Sequence, residues 1–152
     1  MTFILDTDTL IFMVRGLKIA LPKNGRQKHK LQLAQRILNR CRDRRAAGDN
    51  VGLSAITVAE LEYGARRSGD YPAEIGAVRK VLMPFVLYDF DAIACAERYG
   101  EVRDTLERVG KPIGAMDLLI AAHALGLGAT LVTNNVNDFS RVLALECENW
   151  TV

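Results

Sequence analysis

Residues 111–135 read KPIGAMDLLIAAHALGLGATLVTNN. Pro112 and Gly114 mark a loop, the apolar run over 116–126 is long enough for a helix that Gly126 and Gly128 close, and 129–133 (ATLVT) is a short apolar strand. A helix passing through a tight glycine turn into a buried strand is half of a β-α-β unit, whose strands run parallel. The same alternation recurs outward from this stretch. Residues 2–5 form a strand and Thr7 to Val14 a helix start. Leu21 to Lys30, with Pro22, Asn24 and Gly25, reads as a loop. Over 31–47, Ala34, Ile37, Leu38 and Cys41 recur at helical spacing while Arg36, Arg40 and Arg44 line another face, which gives an amphipathic helix with a basic stripe. A strand over 51–55 precedes a helix over 57–67, ended by Ser68 and Gly69. A helix over about 73–83 stops at Pro84, the strand PFVLYD follows, and a helix runs from Asp91 to about Val109. A final apolar piece lies near Cys147 to Val152. The expected class is α/β, with a central, mostly parallel sheet covered by helices on both faces.

In this arrangement four acids fall where strands give way to helices: Asp6 after FIL, Glu60 after LSAITVA, Asp117 in PIGAMDLL and Asp138 after LVTNNVN. A parallel sheet gathers such positions at its carboxyl edge, where open α/β proteins bind ligands. Each acid also has a purely structural reading. Asp6, Asp8 and Asp117 suit helix N-termini, where a carboxylate accepts free backbone N–H groups. Thr57 to Glu60 spells a capping box in which Glu60 reaches back to the Thr57 amide. Together, however, crowded like charges repel unless a cation offsets them. Mg²⁺ suits such a pocket because it takes one or two carboxylates and keeps several waters.

Composition narrows the function classes. The chain has 152 residues, enough for one domain with a sizeable core. No apolar stretch approaches the roughly 20 residues of a membrane span, and MTFILDTD lacks the basic start of a secretory signal, so a cytoplasmic protein is expected. Cys41, Cys95 and Cys147 are odd in number and widely spaced, which suggests neither a disulfide framework nor a thiolate zinc site but buried, reduced thiols. The net charge of +2 conceals an asymmetry: residues 15–45 hold eleven Lys/Arg and a single acid, Asp43. Such a segment is either a phosphate-backbone contact or a solvated helix face.

The motifs FILDTDTL at 3–10, ITVAELEYGA at 56–65, KPIGAMDLLIAAHALGLGATLVTNN at 111–135 and DF at 138–139 resemble the sequence blocks of PIN-domain nucleases, in particular the VapC toxins of bacterial toxin–antitoxin systems. The blocks stand in family order and span nearly the whole chain. The resemblance implies one PIN domain over 1–152 with a three-layer α/β/α fold, and a basic helical segment at about 15–47. It implies that Asp6, Glu60 and Asp117 hold Mg²⁺ or Mn²⁺. Many PIN proteins carry a fourth acid directly after the TN dipeptide, where this chain has Asn135, so Asp138 becomes the expected fourth contributor. Thr133, Asn134 and Asn135 are then candidates for orienting water or ligand. The implied reaction is metal-dependent hydrolysis of RNA phosphodiesters, with Arg36, Arg40 and Arg44 as candidate RNA contacts. A homodimer and a cognate VapB-type antitoxin are implied by the resemblance alone.

Other residues are read as structural. His123 in an apolar helix is a packed, hydrogen-bonded histidine, and His29 a solvated one. Tyr63 is a packing aromatic and Gly64 a close helix contact. Two further functions stay open. Asp6-Thr7-Asp8-Thr9-Leu10 resembles the DxDxT motif of haloacid-dehalogenase-type phosphatases with Leu10 at its last position, and Ser54 imitates a second motif, although no acidic metal pair follows in VTNNVND and no lysine is well placed. Asn135 in place of an acid also leaves open a PIN fold that binds nucleic acid or a partner without cutting.

Overall fold

The computed structural model describes all residues, Met1–Val152. Five strands form one sheet: β1 (Thr2–Leu5), β2 (Asn50–Ser54), β3 (Val86–Tyr88), β4 (Thr130–Val132) and β5 (Cys147–Glu148). Their order is β3-β2-β1-β4-β5, and every pairing is parallel, so the expected mostly parallel sheet has no antiparallel member. From β1 the chain builds outward through β2 and β3, then returns to the other side of β1 for β4. The direction of winding therefore reverses between β1 and β4, the place where α/β sheets open a crevice.

Alternation along the strands sends side chains to both faces, and each face has its own core. Phe3, Leu5, Leu53 and Val132 pack with Leu10 and Met13 of α1 (Thr7–Leu17) and Ile37 and Cys41 of α2 (Gly25–Ala46). On the opposite face Ile4 and Leu131 pack with Val102 and Leu106 of α5 (Ala94–Arg108) and with Leu118, Ile120, Ala121 and Ala124 of α6 (Ala115–Leu127). This is the expected three-layer arrangement. Between β2 and β3 the chain makes two helices, α3 (Ala55–Arg67) and α4 (Tyr71–Leu82), which pack on each other.

Several boundaries differ from expectation for local reasons. The expected loop over 21–30 ends early, because Asn24 caps α2 through its side chain, accepting the Gln27 amide at 2.9 Å. Ser54 caps α3, so that helix starts at Ala55 and Thr57 lies inside it, which removes the capping box assigned to Thr57 and Glu60. Asp91 accepts the Ala94 amide, and α5 begins at Ala94 rather than Asp91. Gly128, at φ +64°, ends α6 alone. Gly126 is instead helical: a Cβ there would sit 2.7 Å from Cys95 Sγ, so its missing side chain is what lets α5 and α6 touch. A short helix, α7 (Val136–Phe139), follows β4, so the helix start expected at Asp138 comes two residues earlier. Tyr63 is exposed and Gly64 faces open space, contrary to the packing roles read for them. His29 is exposed, as expected. All three cysteines are free, with Cys41 and Cys95 buried. Burial pushes the Cys41 and Cys147 thiols up to about 11, so both are protonated and unreactive near neutrality.

Candidate active site

Asp6 follows β1 at the centre of the carboxyl edge. Its extended backbone and short side chain make it the N-cap of α1, with Oδ1 accepting the Thr9 amide at 2.8 Å. Its Oδ2 accepts the Thr133 hydroxyl at 2.5 Å, and Thr133 directly follows β4, across the switch point. The cap role and a site role therefore coexist in one buried carboxylate. Burial raises its pKa, and the bonds from Thr133 and Thr9 partly oppose the rise.

Glu60 projects from the second turn of α3 and accepts the Thr7 hydroxyl at 2.7 Å. Thr7 also meets the buried Thr57 hydroxyl at 3.0 Å. A hydroxyl has a single proton; with that of Thr7 directed to Glu60, Thr57 donates to Thr7, and the chain Thr57, Thr7, Glu60 ties α3 to α1. Neither threonine was anticipated as a site residue, although Thr7 stands directly after Asp6. Asp117 lies in the first turn of α6 and is no cap, since Gly114 holds that position without a side-chain bond. Its pKa is pushed up to about 6, by burial first and then by the charges of Asp6, Asp8, Glu60 and Asp138. The four expected acids, with exposed Asp8 as a fifth, thus share one electrostatic field although they come from four helices and strand ends.

Asn135 and Asp138 form a pair: Asn135 Nδ2 donates to Asp138 Oδ2 at 3.0 Å, and Arg141 stands 3.6 Å from the other oxygen of Asp138. Asp138 is the only one of the four with a basic partner. Thr133 also accepts the Asn135 amide at 2.9 Å, so its hydroxyl both orients Asp6 and holds the turn. Asn134 contributes its backbone amide to Thr9 Oγ1 at 3.1 Å and exposes its side chain.

The arginine stripe of α2 makes contacts within the chain while Arg36 and Arg40 stay exposed. Arg36 donates to the Thr151 carbonyl at 2.9 Å, Arg40 approaches Glu148 at 3.4 Å, and Arg44 stands between Asp49 at 3.6 Å and Glu148 at 3.8 Å. Arg40 and Arg44 also lie over the rings of Trp150 and Phe3. Asp49 precedes β2 and also binds the Met1 amino group, which puts Arg44 at the amino edge, opposite the acids. These residues contact the chain's own C-terminal segment, and Arg44 alone also reaches the amino edge. Sequence periodicity identified their helix face but not what covers it. In the stretch Asp6 to Leu10, Thr7 is bound to Glu60, Thr9 is bound to Asn134 and Asp8 is exposed.

Fold and site together define an open α/β protein of the PIN-like class, with an acidic crevice at the switch point of a parallel sheet. The description "PIN domain" matches residues 27–144. Ribonuclease VapC1 of Haemophilus influenzae is 34% identical over 152 residues, covering 99% of both chains, and Ribonuclease VapC2 of Rickettsia felis is 41% identical over 69% of this chain and 78% of its own. The tRNA(fMet)-specific endonuclease VapC of Shigella flexneri is 30% identical over 98% of both. Among solved structures, VapBC2 from Rickettsia felis bound to a promoter DNA fragment superposes with a TM-score of 0.75 at 32% identity, covering 99% of both chains. DNA-bound VapBC from Salmonella typhimurium gives 0.79 at 29%, covering 99% of this chain and 98% of that one. The chain belongs to the PIN domain family and, within it, to the VapC ribonucleases.

Proposed function

We propose that the protein is a Mg²⁺-dependent endoribonuclease toxin, hydrolysing RNA phosphodiester bonds and neutralised by a cognate VapB-type antitoxin. The observation that carries this reading is the uncompensated negative charge at the switch point. Asp6, Glu60 and Asp117 come from three separate elements, share one field that lifts Asp117 to about 6, and have no Lys or Arg ion pair. A group of carboxylates held near each other without a cation is destabilising unless a cation binds there.

The donor set is all oxygen, which suits Mg²⁺ or Mn²⁺ over Zn²⁺ or copper. No three acidic, histidine or cysteine side chains converge tightly enough to enclose an ion unaided. Such an open set fits Mg²⁺ in particular, since that ion binds proteins through one or two carboxylates and retains water in its remaining positions. Asp6, Glu60 and Asp117 are the residues to hold it, with Asp138 as a contributor at the rim. When bound, the ion polarises the phosphoryl oxygen and lowers the pKa of a coordinated water. The chain supplies positioning: Thr133 fixes one oxygen of Asp6, Thr7 fixes one oxygen of Glu60, and Asn135 fixes one oxygen of Asp138 within the first turn of α7.

An RNA substrate is supported by relatives named ribonuclease and tRNA(fMet)-specific endonuclease, and the antitoxin by neighbours solved as VapBC complexes. A homodimer acting in the cytoplasm completes the reading; no helix is long and apolar enough to cross a membrane. Incubating the purified protein with RNA in Mg²⁺ or Mn²⁺, against EDTA and against Asp6→Asn and Asp117→Asn, tests it. Cleavage should require both the metal and both acids. Demonstrated metal binding without cleavage would favour the non-cleaving PIN reading, and release of phosphate from a small phosphomonoester would favour the phosphatase.

A further inference from the structure

Glu60 and Asp117 sit on different helices, α3 and α6, and something must fix the separation of those helices at the crevice. Ser54 and His123 lie at that junction. Ser54 ends β2 and is fully buried; its Oγ accepts the Ile56 amide at 3.0 Å and so caps the helix that carries Glu60. The same Oγ lies 2.6 Å from His123 Nδ1. His123 is also fully buried, on α6 six residues beyond Asp117. Its ring meets Phe90 edge-on at 5.4 Å, beside the Asp89 backbone.

Proton inventory sets the direction of this bond. Ser54 Oγ accepts the Ile56 amide and has no acceptor for its own proton other than Nδ1; donating there leaves the imidazole proton on Nε2. Burial lowers the His123 pKa against the opposing Asp89 backbone and charge, which favours the neutral ring that an accepting Nδ1 requires. Nε2 is buried and meets no acceptor at full hydrogen-bond geometry, the Asp89 backbone being the polar group beside it. A buried nitrogen with so incomplete a partner is unfavourable for stability, and a leucine would fill this apolar helix position without it. The polar ring at this position therefore does something that packing alone does not require.

We propose that His123 is a positioning residue: through Ser54 it locks the first turn of α3 to α6 and sets the spacing of Glu60 and Asp117 for the metal. This rests on the reading that those two acids share an ion. The bond joins the cap of one acid-bearing helix to the body of the other and touches neither carboxylate, so its loss leaves the ligands chemically intact but misplaced. Partners that orient metal ligands typically change affinity by 10–100-fold, and a connection one step further out belongs near the lower limit.

Mn²⁺ titration by calorimetry, with metal-free thermal unfolding on the same samples, tests the proposal in His123→Leu, His123→Asn, Ser54→Ala and Asp117→Asn. Asn places an oxygen near the position of Nδ1 and can accept the Ser54 proton, whereas Leu keeps the apolar volume and cannot. Expected are about tenfold weaker Mn²⁺ binding in His123→Leu and Ser54→Ala, recovery to within about threefold of wild type in His123→Asn, and a metal-free transition in His123→Leu at least as high as in His123→Asn. A merely structural histidine would make affinity follow metal-free stability instead. The proposal is overturned if His123→Leu binds Mn²⁺ like wild type, or no worse than His123→Asn, while Asp117→Asn abolishes the site. Undiminished binding in Asp117→Asn would remove the metal reading itself, and the proposal with it.

Discussion

Asp117 should weaken the metal-free fold in a pH-dependent way, and its replacement should reveal by how much. Its carboxyl ionises near 6 in the folded chain against an ordinary value of 3.8, because burial and then the charges of Asp6, Asp8, Glu60 and Asp138 oppose ionisation. The folded state therefore holds the proton more tightly than the unfolded state does. Below about pH 3.8 the group is protonated in both states and carries no penalty; as pH rises through 3.8 to about 6 stability is lost, and above that the full penalty applies. At about 1.4 kcal/mol per pH unit the ceiling is about 3 kcal/mol. The crevice is open to solvent, and screening reduces the figure to about 1–2 kcal/mol. Asp117→Asn, which removes the charge at nearly constant shape, should raise the metal-free melting temperature at pH 7.5 by about 2–6 °C. The gain should shrink through pH 6 and vanish near pH 4. Circular-dichroism melts in EDTA at four pH values measure it. Adding Mg²⁺ should stabilise the wild type and not the variant. Equal melting temperatures at pH 7.5, or a gain as large at pH 4 as at pH 7.5, would refute the reasoning.

Thr7→Val removes the bond to Glu60 and leaves the buried Thr57 hydroxyl without its partner, so urea unfolding should show a loss of about 1–3 kcal/mol and Mn²⁺ binding should weaken in parallel. Gly126→Ala drives a methyl against Cys95 between α5 and α6 and should cost about 1–3 kcal/mol by the same measurement. Asn135→Asp replaces the donor to Asp138 with a like charge; the metal-free melting temperature should fall, and millimolar Mg²⁺ should restore most of it. Replacing Arg36, Arg40 and Arg44 together with Ala should lower stability by about 1–2 kcal/mol, as several partly exposed pairs and ring contacts go, and should weaken RNA binding and flatten its salt dependence; unchanged binding and slope would reduce the stripe to a structural face.

Much of the architecture was legible because hydrophobic period and turn chemistry are local. FIL, VGLS and TLV read as buried strands because they are short apolar runs between turn residues, and the parallel sheet followed from the helices between them. That logic also put Asp6, Glu60 and Asp117 at one edge. It failed where two side chains competed for one role. Thr57 and Glu60 spell a capping box, yet Ser54 caps the helix and frees Glu60 for Thr7, a partner 53 residues away. Gly126 looked like a helix end, but what it serves is a neighbouring helix at Cys95.

By itself, then, the sequence determined the order of elements, the family and the residue types at the carboxyl edge, since propensity, periodicity and motif spacing are properties of neighbours along the chain. Only the tertiary structure decided which hydroxyl holds which carboxylate, that Ser54 meets His123, and that the arginine stripe of α2 closes on Glu148 and Thr151. Each of these contacts joins elements far apart in sequence. Their partners are chosen by strand order and helix packing, and a buried donor takes whichever acceptor the fold brings within about 3 Å.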